Sequence, residues 1–266
     1  MRDLKTLMDM SGRRALITGG AGHLGRTMAD SLAELGAEIL LVDVEGAPTR
    51  EVADDIAARR GVRVIALDCD LELAEARSDL VAQVQDTGGL SVLINNAAFV
   101  GTSGLTGWAE PLERQSVETW RRALEVNLTA GFHLCQLCAP VLKGGPSGSI
   151  INIASIYGQW GPDYALYEGT AMASPAAYGA SKGGLIQFTR WLSTTLAPRV
   201  RANVISPGGV ARGQPESFVE RYTARTPLRR MATEEDFRGA VAYLASDLSA
   251  YVTGQVLAVD GGWGVW

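Results

Sequence analysis

Short apolar runs alternate with longer amphipathic stretches over almost the whole chain. Runs at 13–18, 38–43, 62–67, 90–95, 148–154, 201–206 and 255–259 are rich in Ile, Leu, Val and Ala and are bounded by turn formers such as Gly19, Gly61 and Pro207, the pattern of buried strands. Stretches near 24–35, 49–60, 72–86, 117–142, 175–197 and 233–247 carry apolar residues at helical spacing instead. Strands that alternate with helices pair in parallel through right-handed crossovers. The expectation is an α/β, doubly wound fold with a seven-stranded parallel sheet flanked by helices, and with ligands gathered at the carboxyl ends of the strands. No repeat, low-complexity run or compositional break interrupts the pattern, so residues 1–266 are read as one domain.

Composition narrows the class. With 47% hydrophobic residues the 266-residue chain can bury one sizeable core. A net charge of −5, dispersed along the sequence, recommends neither a nucleic-acid surface nor a membrane-binding face. The first ten residues lack an uninterrupted apolar core and no run approaches transmembrane length, which favours the cytoplasm. The three cysteines read as reduced thiols. His133, Cys135 and Cys138 lie in an apolar helical run with no obvious fourth ligand, so no metal site is expected there.

The first strand leads through Thr18 into Gly19-Gly-Ala-Gly22-His23-Leu24-Gly25 and then a helix. Glycines let the backbone approach a pyrophosphate closely, and the N–H groups at the helix start stabilise its charge. The second strand ends in Asp43, where a carboxylate can accept hydrogen bonds from ribose hydroxyls; Val44 and Glu45 offer no cation to a 2′-phosphate, which favours NAD.

Tyr178 and Lys182, four residues apart in Tyr178-Gly-Ala-Ser-Lys182, point the same way on a helix. A phenol is a poor base near neutrality unless a fixed cation stabilises the phenolate, and the lysine is that cation. Such a pair can take an alcohol's proton while a hydride leaves the same carbon, or return it to a ketone.

These motifs, in this order, resemble a short-chain dehydrogenase/reductase of the single-domain, NAD-dependent Rossmann branch, and the resemblance covers almost the whole chain. It implies that Asp70-Leu71 contacts adenine and that Asn96-Ala97, within Asn95-Asn-Ala-Ala98, lines the cofactor site together with Pro207, Gly208 and Val210. It further implies that Asn127 holds a proton-relay water, Ser155 orients the substrate oxygen, Tyr178 is the acid/base, and Lys182 lowers the phenol's pKa and holds the nicotinamide ribose. Relatives are homo-oligomers, so a homotetramer or homodimer is expected, built on apolar faces that include Phe132, Leu134, Leu137, Leu185, Phe188 and Trp191, with the tail Trp263–Trp266 buried at a subunit contact.

The departures are informative. His23 replaces a usual glycine and is placed beside the phosphates; Ala98 replaces another; Arg212 stands where many relatives carry a threonine, free to face solvent or an anionic substrate group. Between Ser155 and Tyr178 lie more residues than the usual dozen. Tyr167 occupies the customary distance but has Ala171 four residues on, so it is read as a decoy. The inserted loop 158–175 has no regular period and brings Trp160, Tyr164 and Tyr167, with Glu168 and Met172, toward the substrate. Residues 212–230, polar and proline-bounded, are read as a mobile substrate lid. The wording of the insertion is similar to relatives in bacterial surface-sugar and flagellin-glycan pathways, which implies a sugar or polyol substrate. A 3-oxoacyl thioester or small cyclic ketone is the enzymatic alternative, and a non-catalytic NAD(H)-sensing interaction protein the alternative of another class.

Overall fold

Each central strand sends successive side chains to opposite faces, and both faces are apolar. Ala15, Ile17, Ile39, Leu41, Val92 and Ile94 join one core cluster, whereas the intervening Leu16, Leu40 and Leu93 join a second across the sheet. That is why the strands read as continuous apolar runs rather than alternating ones: helices cover both sides. Full burial of each such side chain contributes roughly 1.5–3 kcal/mol.

The computed structural model describes residues 1–100, 103–145 and 147–266. Its strands are β1 (Arg14–Thr18), β2 (Glu38–Asp43), β3 (Val64–Asp68), β4 (Val92–Asn95), β5 (Gly148–Ile153), β6 (Val200–Pro207) and β7 (Val256–Val259). They form one parallel sheet in the order β3-β2-β1-β4-β5-β6-β7. Chain direction reverses its advance between β1 and β4, which opens a crevice at the strands' carboxyl ends. The helices are α1 (Leu4–Met8), α2 (His23–Glu34), α3 (Thr49–Arg60), α4 (Ala74–Asp86), α5 (Val117–Leu124), α6 (Ala130–Gly144), α7 (Ala176–Leu196), α8 (Glu216–Arg225) and α9 (Arg238–Ala245).

The stretch expected as one helix at 117–142 is α5 and α6 joined by a π-helical turn, Glu125–Thr129. Such turns insert a residue into the helical register and recur at functional sites. This one carries Asn127.

The lid expectation at 212–230 is corrected in form. Most of its middle is α8, whose Phe218 and Tyr222, one turn apart, are buried. Its polar residues face outward, and the two flanking prolines obscured the short amphipathic repeat. Arg221 donates to the carbonyls of Leu166 and Glu168, and Arg225 pairs with Asp163 at 2.6 Å, so α8 and the inserted loop hold one another. Leu166, Tyr167, Phe218 and Tyr222 from these two segments form a separate hydrophobic cluster with Ile156, Met231 and Trp263.

The tail expectation is corrected for Trp263. Trp263 is buried within its own chain, stacked on Tyr222, edge-on to Tyr157 and covered by the Arg225 guanidinium at 4.3 Å. Val265 and Trp266 remain exposed. Leu134 and Leu185 likewise belong to the core, whereas Phe132 and Trp191 keep 44% and 57% exposure, bridged by the ring of Phe188. No described helix is long and apolar enough to cross a membrane.

Candidate active site

The carboxyl ends of β1, β2, β4, β5 and β6 open into a cleft of about 1300 Å³. At one end the chain turns from β1 into α2. Gly22 caps that helix with no side-chain hydrogen bond, so the N–H groups of the first turn stay free for an anion. Gly25 serves packing instead. A Cβ there would stand 2.0 Å from the Gly19 carbonyl oxygen, so only glycine lets α2 pack against the turn. Thr18 is also internal. Its buried hydroxyl accepts the N–H groups of Asn96 and Ala97 and fixes the β4 turn against β1.

Asp43 lines the cleft at the end of β2, where it also accepts the Ala21 N–H at 2.9 Å and so ties the glycine-rich turn to the ribose position. Asp70 and Leu71 line the adjoining wall. Arg77, almost fully buried, braces that wall from behind by donating to the Leu71 carbonyl at 2.8 Å, to Glu125 at 2.7 Å and to the His133 Nδ1 at 3.1 Å. His133 is therefore an acceptor for arginine. Burial pushes the Cys138 thiol up to about 12 and raises Cys135 as well.

The other end of the cleft holds Ser155, Tyr178 and Lys182. Lys182 is 2% exposed, donates to the Ile153 carbonyl at 2.8 Å and lies 5.7 Å from the centre of the Tyr178 ring. Burial lowers its pKa to about 8. Burial also raises the Tyr178 phenol, and the Ser155 hydroxyl pulls it back. The balance of these two is upward. Desolvation of the phenolate is the larger cause, and the Lys182 amine is turned toward the Ile153 carbonyl.

Asn127 reaches neither group directly. Its amide accepts the Phe99 N–H at 2.7 Å and donates to the Phe99 carbonyl and to Ser181 Oγ, pinning the β4 loop to the helix that carries the catalytic pair. Pro207, Gly208 and Val210 line the cleft after β6, and the Gly209 N–H meets the Tyr222 hydroxyl at 2.5 Å. His23 and Arg212 face one another across the cleft mouth through Glu234, at 3.6 Å and 2.5 Å.

Of the inserted-loop candidates, Tyr167 and Met172 line the cleft. Trp160 and Tyr164 do not: both are at least half exposed, Trp160 against Gly264 of the tail and Tyr164 beside the outer edge of Tyr167. The sequence reading overlooked Tyr157, Tyr222, Phe99, Gln214 and Met231 in the lining. Tyr157, two residues after Ser155 at the end of β5, was the one with a positional signal.

Comparison with known proteins gives the family. A family model described as enoyl-(acyl carrier protein) reductase matches residues 19–264. The chain belongs to the short-chain dehydrogenase/reductase family. It is 31% identical to galactitol 2-dehydrogenase (L-tagatose-forming) of Cereibacter sphaeroides, over 99% of this chain and 100% of that one. It is 34% identical to cis-4-hydroxycyclohexanecarboxylate dehydrogenase of Sinomonas cyclohexanicum, over 94% and 96%. The crystal structure of a putative NAD(P)-dependent gluconate 5-dehydrogenase from Beutenbergia cavernae, with bound NADP at low occupancy, superposes with a TM-score of 0.86 at 33% identity, covering 98% of this chain and 100% of that one. This family member is thus an oxidoreductase acting on alcohol and carbonyl groups with a nicotinamide cofactor.

Proposed function

We propose that the chain is an NAD-dependent dehydrogenase that oxidises a secondary hydroxyl of a sugar-derived polyol or reduces the matching ketone. The observation that carries the reaction is the convergence of Ser155, Tyr178 and Lys182 at one end of a cleft whose other end presents free helix N–H groups and Asp43. The cleft fits a dinucleotide. His23, Leu24 and the Gly19–Gly22 turn would hold the pyrophosphate, Asp43 the adenosine ribose, Asp70 and Leu71 the adenine, and Lys182, Asn96, Ala97 and Val210 the nicotinamide half. When bound, the nicotinamide accepts the hydride in oxidation and supplies it in reduction.

The protein's own work is proton handling. Ser155 Oγ donates to the substrate oxygen and holds the carbinol toward Tyr178. The phenolate of Tyr178 takes the hydroxyl proton in oxidation; the raised phenol, protonated at neutrality, returns it in reduction. Lys182 balances the phenolate charge across a dry interior, and Asn127 fixes the loop and helix that frame the two.

NAD rather than NADP is supported by Asp43. Among the described residues, the basic side chains lining the cleft are His23, Arg122, Lys182 and Arg212, and none comes from the loop after β2. Arg122 is engaged by both carboxylate oxygens of Glu72. A 2′-phosphate would meet Asp43 with nothing to neutralise it. Asp43→Ala is expected to narrow the NAD-over-NADP ratio of kcat/KM by about tenfold, the effect of some 1.4 kcal/mol of relieved repulsion. A native preference for NADP would contradict the assignment.

The hydroxyls that Tyr157, Tyr167 and Ser174 bring to the cleft lining support a polyol over a plain hydrocarbon ketone. Buried free thiols accord with a cytoplasmic setting. The exposed Phe132 and Trp191, bridged by the half-buried Phe188, support a homo-oligomer of two or four chains. Light scattering is expected to give a multiple of 28.2 kDa, with Trp191→Glu lowering the mass toward the single chain. A 28.2 kDa particle at micromolar concentration would rule assembly out.

A further inference from the structure

Tyr157 leaves β5 just after Ser155; Tyr167 comes from the inserted loop. Their hydroxyl oxygens stand 2.5 Å apart, and both residues line the cleft that holds Tyr178. Each is close enough to Tyr178 for its charge to raise their pKa values, although burial is the larger cause in both. Neither is an acid/base group, since burial holds both as neutral phenols. Two phenols have two protons and one is spent on the bond between them. The other proton has no protein acceptor among the described residues, and lone pairs remain on both oxygens. Such a polar pair, largely removed from water, needs a partner when a substrate displaces the solvent.

We propose that the Tyr157–Tyr167 phenol pair is a specificity-determining site that binds a second hydroxyl of the substrate, next to the carbinol held by Ser155 and Tyr178. The proposal deepens the polyol reading and rests on it. A vicinal diol places one hydroxyl on the catalytic pair and the neighbouring one on the phenols, which can both donate to it and accept from it. A substrate with a single hydroxyl leaves the pair's second proton dry and without an acceptor, and that penalty is the source of selectivity.

The supporting architecture fixes where the pair stands. Tyr167 packs on Phe218 of α8, Tyr157 packs edge-on to Trp263 of the tail, and Asp163 and the loop carbonyls are held by Arg225 and Arg221. The residue at the family's customary tyrosine spacing thus has a use of its own in place of catalysis.

The test compares cis-1,2-cyclohexanediol with cyclohexanol, which share a ring and differ by one hydroxyl, as substrates with NAD. Wild-type enzyme is expected to favour the diol by about 100-fold or more in kcat/KM, within the discrimination a hydrogen-bonding site achieves. Tyr157→Phe and Tyr167→Phe, each retaining the ring and checked for folding by NADH affinity, should each reduce that ratio to less than about tenfold through a higher KM for the diol. Either variant alone breaks the pair, so one that folds is enough. A diol preference that persists in the folded variants overturns the phenol pair and leaves the polyol reading standing. No diol preference in the wild type, with no turnover of any polyol, overturns the polyol reading itself.

Discussion

Tyr178→Phe lowers kcat for alcohol oxidation by about 10³ or more while NADH still binds, because general acid/base catalysis of this kind supplies roughly 10²–10⁴ of rate. The phenylalanine keeps the ring beside Lys182 and removes only the oxygen. Tyr167→Phe stays within about tenfold of wild-type kcat by comparison, since its hydroxyl meets Tyr157 and has no lysine beside it. Equal losses in both variants would show that the acid/base residue is misassigned. The wild-type pH profile carries the same logic. Tyr178 and Lys182 share a dry site, so one proton lost from the pair produces either a neutral amine or the phenolate that acts as base. Oxidation needs the phenolate of a phenol that burial raises, so it is expected to climb with pH on the alkaline side, whereas ketone reduction, which needs the proton present, declines. The climb should disappear in Tyr178→Phe measured on its residual activity.

Lys182→Met is the second large effect, with kcat/KM falling by about 10² or more, the scale of losing a fixed charge that faces the reacting site. Methionine fills much of the buried channel that the lysine stem occupies, so packing against the end of β5 is retained. What is lost is the cation beside the Tyr178 ring and the donor to the Ile153 carbonyl. The raised phenol would then ionise still less readily, and the remaining oxidation should shift to more alkaline pH. A variant with wild-type kcat/KM and an unshifted profile would remove lysine from the mechanism.

Most of the sheet was legible in the sequence because its strands are apolar on both faces, and a run such as Leu16 and Ile17 leaves no doubt about burial. The ends of those strands were legible for a different reason. Only a few residue types permit the turn at Gly19–Gly25, the acceptor at Asp43 and the Tyr178–Lys182 pair at one helical turn. What the sequence concealed depends on contacts distant along the chain. Trp263 looks like a loose apolar end until Arg225 and Tyr222 close over it, and α8 looks like a polar lid until Phe218 and Tyr222 meet the inserted loop. The inserted loop hid its own division of labour. Tyr164 and Tyr167 are three residues apart, and nothing local says that the first is exposed while the second reaches the cleft. The raised Tyr178 pKa was equally out of reach, since it follows from burial rather than from the neighbouring lysine.

The central claim, hydride transfer to NAD with Tyr178 as base, is tested most directly by the appearance of NADH absorbance when purified enzyme is mixed with NAD and each member of a panel of polyols and cyclic diols. The account predicts NADH formation with at least one polyol, faster at pH 9 than at pH 7, and its loss in Tyr178→Phe that still binds NADH. NADH formation that survives intact in Tyr178→Phe, or wild-type protein that binds NADH yet turns over no alcohol or ketone in the panel, would contradict it.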